Sequence, residues 1–256
     1  IKLDGRPFLI VYRPQHLPDA RKTAEIWRQY CRDMGIGEIH ICAALSHGSE
    51  DYRQFGFDSG VEFPPHNLRT GNINSNISFL GQFRGNVMQY ADIARSYLDR
   101  DYAGARIFKT VFPSWDNTAR TGERALIVQN GTPDNYEHWL SATIDRINRN
   151  STDTPMLFIN AWNEWAEGCH LEPDRRFGHG FLQATLNAKN GVRRFVDFPD
   201  VALPDAELAA HKTLWKDLRD VFGYHAALRL GRLKLQINRL PRLRAVLVRL
   251  VRLVRA

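Results

Sequence analysis

The chain repeats one order of elements: a short apolar segment rich in β-branched and aromatic residues, then a polar connection or an amphipathic helical pattern. Strands that read as continuous apolar runs are typical of parallel sheets covered on both faces by helices. The order therefore predicts an α/β fold whose strand ends carry the functional residues. The five predicted strands are PFLIVYRP (7–14), EIHICAAL (38–45), DSGVEFPP (58–65), ARIFKTVFPSWD (105–116) and PMLFINAW (155–162).

Three helices are predicted between these strands, over residues 19–35, 87–100 and 132–150. The first ends at Gly35, a residue type that favours helix C-termini. The third begins with Thr132 as N-cap and Pro133 at the first helical position. The connection 66–86 is long and polar, and connections of that length are usually functional or disordered. Five strands do not close an eight-stranded barrel, so either the sheet is open or about three βα units precede the chain.

Composition and charge exclude several classes of protein. The chain has 256 residues, 43% hydrophobic and 25% charged, as expected of a soluble globular enzyme with one main domain. Residues 228–256 carry eight Arg, one Lys and no acid, whereas the whole chain carries +7, so the preceding 227 residues have a net charge of −2. A basic surface for nucleic acid is therefore not predicted.

Location is inferred from cysteines and from the first residues. The three cysteines are odd in number and form no CxxC pair, which predicts no disulfide framework and a reducing compartment. No apolar run is long enough to span a bilayer, and the first residues lack the pattern of a signal peptide. The expectation is a cytoplasmic protein whose chain begins in the middle of a longer fold.

The stretch PMLFINAWNEWAEGCHLEPD (155–174) places two glutamates, Glu164 and Glu167, directly after a predicted buried strand. Residues three apart in a helical turn project to the same side, so the two carboxylates are expected to face one pocket. Mutual repulsion and the indoles of Trp162 and Trp165 would separate their pKa values, giving the acid and base that glycosidic-bond chemistry needs. Indole faces also stack on sugar rings, and Asn163 suits a sugar hydroxyl. The spacing is equally compatible with an alternative in which the glutamates pair with Arg175 and Arg176 and the tryptophans are core residues.

Four motifs in order give the chain a family resemblance. GRPFLIVYRP, GFDSGVEFPPH, VFPSWDNTARTG and FINAWNEWAEGCHLEPD resemble the motifs of the WbsX-type glycosyltransferases of polysaccharide biosynthesis, which are similar to the family 99 glycoside hydrolases. The resemblance covers about residues 1–190. It implies a (β/α)8 TIM-type barrel of which this chain holds the last five βα units, and a bacterial setting.

The resemblance also implies roles for the two glutamates. Glu164 corresponds to the base that acts on the sugar 2-hydroxyl and gives an anhydro-sugar intermediate, and Glu167 corresponds to the residue that acts as acid and then base at the glycosidic oxygen. The implied function is an enzyme that makes or rearranges glycosidic bonds in cell-surface polysaccharide or lipopolysaccharide (O-antigen) biosynthesis, on a saccharide that is nucleotide- or lipid-linked. The alternatives are an endo-acting hydrolase of the family 99, mannosidase type and a carbohydrate-binding protein without catalysis.

Further rim residues are predicted to bind substrate, each with a structural alternative. Tyr12 and Arg13 follow the first strand, and Arg13 either contacts substrate or pairs with Glu62. His66 follows two prolines after the third strand and is either a site residue or a structural hydrogen-bonding group. Trp115 and Asp116 form either a stacking platform with a hydroxyl acceptor or a buried Trp with a turn-capping Asp. Arg120 either binds a phosphate or acidic sugar or stabilises its own loop.

No cofactor or metal is predicted, because Cys169 and His170 are adjacent and nothing completes a four-ligand site. The domain prediction is a partial barrel over residues 1–200, a helical connection over 201–227 and a basic amphipathic tail over 228–256. The tail predicts contact with an anionic membrane surface at the inner face of the cell membrane, or packing on another domain or subunit.

Overall fold

A computed structural model of the chain describes residues 1–79, 81–150, 155–195 and 197–198. The chain divides into two compact units. The first contains residues 1–76 and 84–199, and the second contains residues 77–83 and 200–256. All elements described below belong to the first unit, and the predicted connection 201–227 and tail 228–256 lie outside the described residues.

The first unit is a mixed α/β structure. Its strands are β1 (Lys2–Leu3), β2 (Arg6–Val11), β3 (His40–Leu45), β4 (Ser59–Glu62), β5 (Asn86–Gln89), β6 (Ile107–Val111), β7 (Trp115–Asp116), β8 (Leu126–Gln129), β9 (Leu157–Ile159), β10 (Asn163–Glu164) and β11 (Cys169–His170). Its helices are α1 (Ala20–Asp33), α2 (Tyr90–Leu98), α3 (Thr118–Thr121), α4 (Pro133–Asn150) and α5 (Gly180–Lys189).

The main sheet confirms the five predicted strands. It has the order β1-β2-β3-β4-β6-β9, and β2, β3, β4, β6 and β9 are all parallel, in the order in which they occur along the chain. Such an order is what successive βα units of a barrel produce. The carboxyl ends of all five strands therefore meet at one edge of the sheet.

Both faces of the sheet are covered at β3, which explains its continuous apolar run. All six residues of β3 are buried. Ile41 and Ala43 pack with residues of α1 such as Ala24, whereas Cys42 and Ala44 point into a second cluster with Val61 and Phe108 on the opposite face. Because side chains alternate between the two faces of a strand, β3 contributes residues to two hydrophobic clusters.

The predicted helix termini are confirmed for α1 and α4. The Asp19 carboxylate accepts a hydrogen bond from the backbone N–H of Lys22 at 2.9 Å and caps α1. Gly35 ends α1 with a φ of 70°, and the next N–H, of Ile36, donates to the carbonyl of Cys31. At α4 the hydroxyl of Thr132 accepts from the N–H of Asn135 at 3.3 Å.

The prediction of a helix over 87–100 is wrong at its start. Residues 86–89 form β5, which pairs in parallel with β8, and α2 begins only at Tyr90. β5, β8 and β7 make a separate three-stranded sheet that was not predicted, and α5 was also missed. The partner of β5 lies about forty residues further along the chain, so the residues around β5 do not indicate which strand it pairs with.

The left-handed backbone of Gly35 gives a stability prediction. A Cβ at this position meets no atom within 4 Å, so the cost of Gly35→Ala is conformational alone. We expect Gly35→Ala to lower the free energy of unfolding by about 1–2 kcal/mol. The matched control is Gly71→Ala, which also meets nothing and does not have a positive φ. Urea denaturation of both variants measures the difference, and equal midpoints would contradict it.

Candidate active site

The chain forms a tight hairpin directly after β9. β10 pairs antiparallel with β11, with Glu164 opposite Cys169, and the connection is a 3₁₀ turn over Trp165–Glu167. A 3₁₀ turn has three residues per turn, so side chains at i and i+3 lie one above the other. This turn brings Glu164 and Glu167 together.

Gly168 fixes the hairpin against the connection between β6 and β7. Its φ is 58°, and a Cβ would lie 3.1 Å from both the backbone N and O of Asp116. The hydroxyl of Ser114 also donates to the carbonyl of Gly168 at 2.6 Å. A side chain at position 168 would crowd this backbone and be strained by the positive φ, so glycine lets the two segments meet backbone to backbone.

Arg120 connects the two segments electrostatically. It lies in α3, whose first N–H, of Thr118, donates to the Asp116 carboxylate at 2.9 Å. Nη1 of Arg120 donates to Oε1 of Glu167 at 2.5 Å and lies 3.9 Å from Oε2 of Glu164. One guanidinium thus holds both carboxylates, and neither glutamate takes the alternative pairing with Arg175 or Arg176.

The two carboxylates are in different environments. The Glu164 side chain is 51% exposed and that of Glu167 is 20% exposed. Burial raises the pKa of Glu167, and the charge and hydrogen bond of Glu164 raise it further, whereas the Arg120 cation opposes the rise. The net shift is upward, which favours the protonated acid at Glu167.

Trp165 is held rigidly beside this pair. Its ring stacks on His170 with centroids 3.7 Å apart, and its indole N–H donates to Glu172 at 2.6 Å. Nε2 of His170 in turn lies 3.2 Å from Asp174. Despite these contacts Trp165 remains 49% exposed. An immobilised and half-exposed indole is suited to stacking on a sugar ring.

Trp162 and Asn163 are also open to solvent. The Trp162 side chain is 54% exposed, although its carbonyl is tied to the N–H groups of Leu171 and Glu172. Asn163 is exposed in β10. The alternative interpretation of both tryptophans as core residues does not describe this structure.

A second cluster lies at the ends of β2, β3 and β4. Nη2 of Arg13 is 2.6 Å from Nε2 of His47, and the Tyr12 hydroxyl is 3.2 Å from the same nitrogen. The Tyr12 hydroxyl is 3.5 Å from Nε2 of His66, and the two imidazole centroids are 4.3 Å apart. The structure thus brings together three predicted residues and adds His47.

Three predicted substrate ligands have internal contacts instead. The Glu62 carboxylate is buried and accepts from Lys109 at 2.8 Å and from the hydroxyl of Tyr102 at 2.9 Å, so its partner is Lys109 and not Arg13. Trp115 is 7% exposed in the core. Asp116 accepts from the backbone N–H and the hydroxyl of Thr118. For Trp115 and Asp116 the buried Trp and turn-capping Asp of the alternative interpretation describe the observed contacts.

His47 and the supports of Trp165 were not found from sequence. His47 follows the second predicted strand within SHG, so the rule that strand ends carry functional residues, applied to every strand, would have marked it. Within the described residues no group of three or more His, Cys, Asp or Glu is placed to hold a metal ion. The same part of the chain contains no helix that is long and apolar enough to cross a membrane.

Two kinds of comparison place the chain among known proteins. It is 38% identical over 204 residues to the protein "Uncharacterized protein WxcX" of Xanthomonas campestris pv. campestris, in strains ATCC 33913 and B100. The match covers 79% of this chain and 28% of those proteins, so the chain spans less than a third of their length. A solved structure titled "Glycoside hydrolase-like protein" has a similar fold, with a TM-score of 0.50 at 16% identity over 75% of this chain and 56% of that one.

The family model of the WbsX glycosyltransferases matches residues 1–185, which include the parallel sheet, the glutamate pair and Arg120. The chain therefore belongs to the WbsX glycosyltransferase family.

Proposed function

We propose that this protein makes or rearranges glycosidic bonds during the synthesis of a cell-surface polysaccharide or lipopolysaccharide, with Glu164 and Glu167 as the catalytic pair. The family and the fold support a carbohydrate-active enzyme. The observation that carries the finer proposal is the unequally exposed carboxylate pair, in which Arg120 contacts both acids and burial raises the pKa of Glu167, the more enclosed one.

The proposed roles follow from exposure and charge. Protonated Glu167 donates its proton to the glycosidic oxygen, so that the bond from that oxygen to the anomeric carbon breaks. Ionised Glu164 removes the proton of the sugar 2-hydroxyl, whose oxygen bonds to the anomeric carbon and forms the anhydro-sugar. In the second half Glu167 takes the proton of the acceptor hydroxyl, and the acceptor oxygen bonds to the anomeric carbon as the bond from that carbon to the 2-oxygen breaks. Glu164 then returns its proton to the 2-oxygen.

Substrate binding is assigned to the exposed groups around this pair. Trp162 and Trp165 stack on the sugar, and Asn163 binds a hydroxyl. Tyr12, Arg13 and His66 lie at the same edge of the sheet. Tyr12 and Arg13 follow β2, four strand positions from β9, and His66 follows β4, two positions from β9. Arg120 acts through the glutamates, because its guanidinium is engaged by both of them.

We also propose that preceding residues of a longer protein complete an eight-stranded barrel, of which this chain supplies the last five βα units. β9 ends the sheet within the described residues, and Leu9 and Ile10 of β2 are exposed. Leu and Ile exposed on a strand of a parallel sheet favour cover by further chain. Relatives of which the match covers only 28% leave room for it.

Hydrolysis is the second candidate, because the structure with a similar fold is titled a glycoside hydrolase-like protein. The two reactions share the first half and differ only in whether water or a sugar hydroxyl is the acceptor. Analysis of products from mannose-type glycosides, with and without lipid-linked acceptors, separates them. A non-catalytic binding protein is the third candidate, and it requires neither glutamate.

Substitution of each glutamate tests the roles. We expect Glu167→Gln to slow transfer or hydrolysis about 10²–10⁴-fold on sugar leaving groups, because the proton donor is lost. Glu167→Gln should lose far less activity on a nitrophenyl glycoside, because that leaving group needs no proton. Glu164→Gln should be slow on both kinds of substrate. Glu25→Gln, an exposed carboxylate on α1, is the matched control. Full activity of both site variants, with sugar binding lost in Trp162→Ala, would favour the non-catalytic binding protein.

Removal of the Arg120 charge should change the pH dependence. The Arg120 cation favours ionised Glu167, so Arg120→Met raises the pKa of Glu167 above its value in the native protein. The basic limb of the pH–rate profile, where the acid is lost, should therefore move to higher pH. Arg124→Met, an exposed arginine on the next turn, is the control that should leave the profile unchanged. An unshifted basic limb in Arg120→Met would contradict the assignment of Glu167 as the acid.

The basic tail over 228–256 gives a separate proposal of contact with an anionic membrane surface, which suits a lipid-linked substrate. We expect the chain to sediment with vesicles of anionic phospholipid at low salt, and a chain lacking residues 228–256 to stay in solution. Neutral phosphatidylcholine vesicles are the control. Equal binding with and without the tail would contradict the proposal.

A further inference from the structure

The cluster of Tyr12, Arg13, His47 and His66 contains hydrogen-bond donors in excess of acceptors. Arginine is a donor only, so the Nε2 of His47 that lies 2.6 Å from Nη2 of Arg13 must accept, and His47 must be neutral. The Tyr12 hydroxyl is directed at the same nitrogen and at Nε2 of His66. Nε of Arg13 is buried and has no hydrogen-bond partner among the residues that the structure describes.

The charges around the two imidazoles are all positive or become positive on protonation. Burial lowers the pKa of His66 to about 4, with smaller contributions from His47 and Arg13. Burial, Arg13 and His16 lower the pKa of His47. Within the described part of the chain, no carboxylate contributes to either shift. The cluster therefore has a deficit of negative charge.

The cluster is accessible and lies on the same edge as the glutamate pair. Tyr12 and His47 are exposed, and Arg13 and His66 are partly exposed. His47 follows β3, which is separated from β9 by β4 and β6, so the lateral distance is three strand spacings, about 15 Å. An extended substrate could therefore contact both sites.

We propose that Tyr12, Arg13, His47 and His66 form a subsite for an oxyanion of the substrate, a phosphate or carboxylate oxygen placed between Arg13 and His47. The oxygen accepts hydrogen bonds from the Arg13 guanidinium and from the protonated His47 imidazole. It thereby replaces Nε2 of His47 as the hydrogen-bond acceptor of Arg13. The proposed function enters only in naming a saccharide as the molecule that carries the oxyanion. Arg120, the sequence-based candidate for this task, already holds the two glutamates.

The subsite should bind more tightly as the pH falls. A bound anion favours the charged imidazoles, so binding is accompanied by proton uptake at His47 and His66, against the opposing charges of Arg13 and His16.

Calorimetric titration of the whole protein tests the subsite without any assay of catalysis. The probes are inorganic pyrophosphate and D-glucuronate, with D-glucose as the neutral control. We expect at least one anion to bind more tightly than glucose, to bind more tightly at pH 6 than at pH 8, and to take up protons in buffers of different ionisation enthalpy. Preference for pyrophosphate identifies a phosphorylated substrate, and preference for glucuronate identifies an acidic sugar.

Two variants assign the binding to this cluster. Arg13→Ala should weaken the binding of the preferred anion about tenfold or more. His47→Asn should reduce the pH dependence, with the contribution of His66 remaining, and Asn tolerates the φ of 51° at this position. Arg149→Ala, an exposed arginine at the end of α4, is the matched control, and thermal melts verify folding. Arg13→Lys should bind with intermediate strength.

Unchanged anion binding in both Arg13→Ala and His47→Asn would overturn the inference, as would binding of glucose equal to that of both anions. Glu164→Gln and Glu167→Gln should bind the anions like the native protein. Failure of the proposed catalysis in those variants is therefore read separately from failure of the oxyanion subsite.

Discussion

The parallel pairing of β9 with β6 determines where the glutamates lie. Val111 of β6 is opposite Ile159 of β9, so the segments that leave the two strands start side by side. One segment carries Arg120 and the other carries Glu164 and Glu167. Their close approach depends on Gly168, which lies on the backbone of Asp116 and leaves no room for a Cβ. The acid pair is thus a consequence of strand register and of one backbone contact.

Charge balance then separates the two acids. Two carboxylates this close repel each other, and the guanidinium of Arg120 offsets part of that repulsion. Because Glu167 is the more enclosed, the remaining cost is greater there, and its pKa rises. On the same turn Trp165 stacks on His170 and donates to Glu172. The environment therefore favours the protonated form of Glu167.

Much of this arrangement could be predicted from sequence, and the rest depended on distant partners. Continuous apolar runs gave the five parallel strands, and local chemistry at Asp19, Gly35 and Thr132 gave the ends of two helices. The spacing of Glu164 and Glu167 gave their proximity. The partner of Arg120 lies 47 residues away, and β5 finds β8 only in the folded chain, so neither could be read locally. Trp115 looked like Trp162 in sequence, because an indole in a core and an indole at a site have the same local pattern.

The direct titration of the Glu167 carboxyl group tests the central claim. The group can be followed by infrared difference spectroscopy of the native protein against Glu167→Gln. Burial and the charge of Glu164 predict a pKa above that of an ordinary glutamate, and a lower pKa when Glu164→Gln removes the neighbouring charge. An ordinary pKa that is unchanged by Glu164→Gln would show that the two carboxylates do not act as a pair.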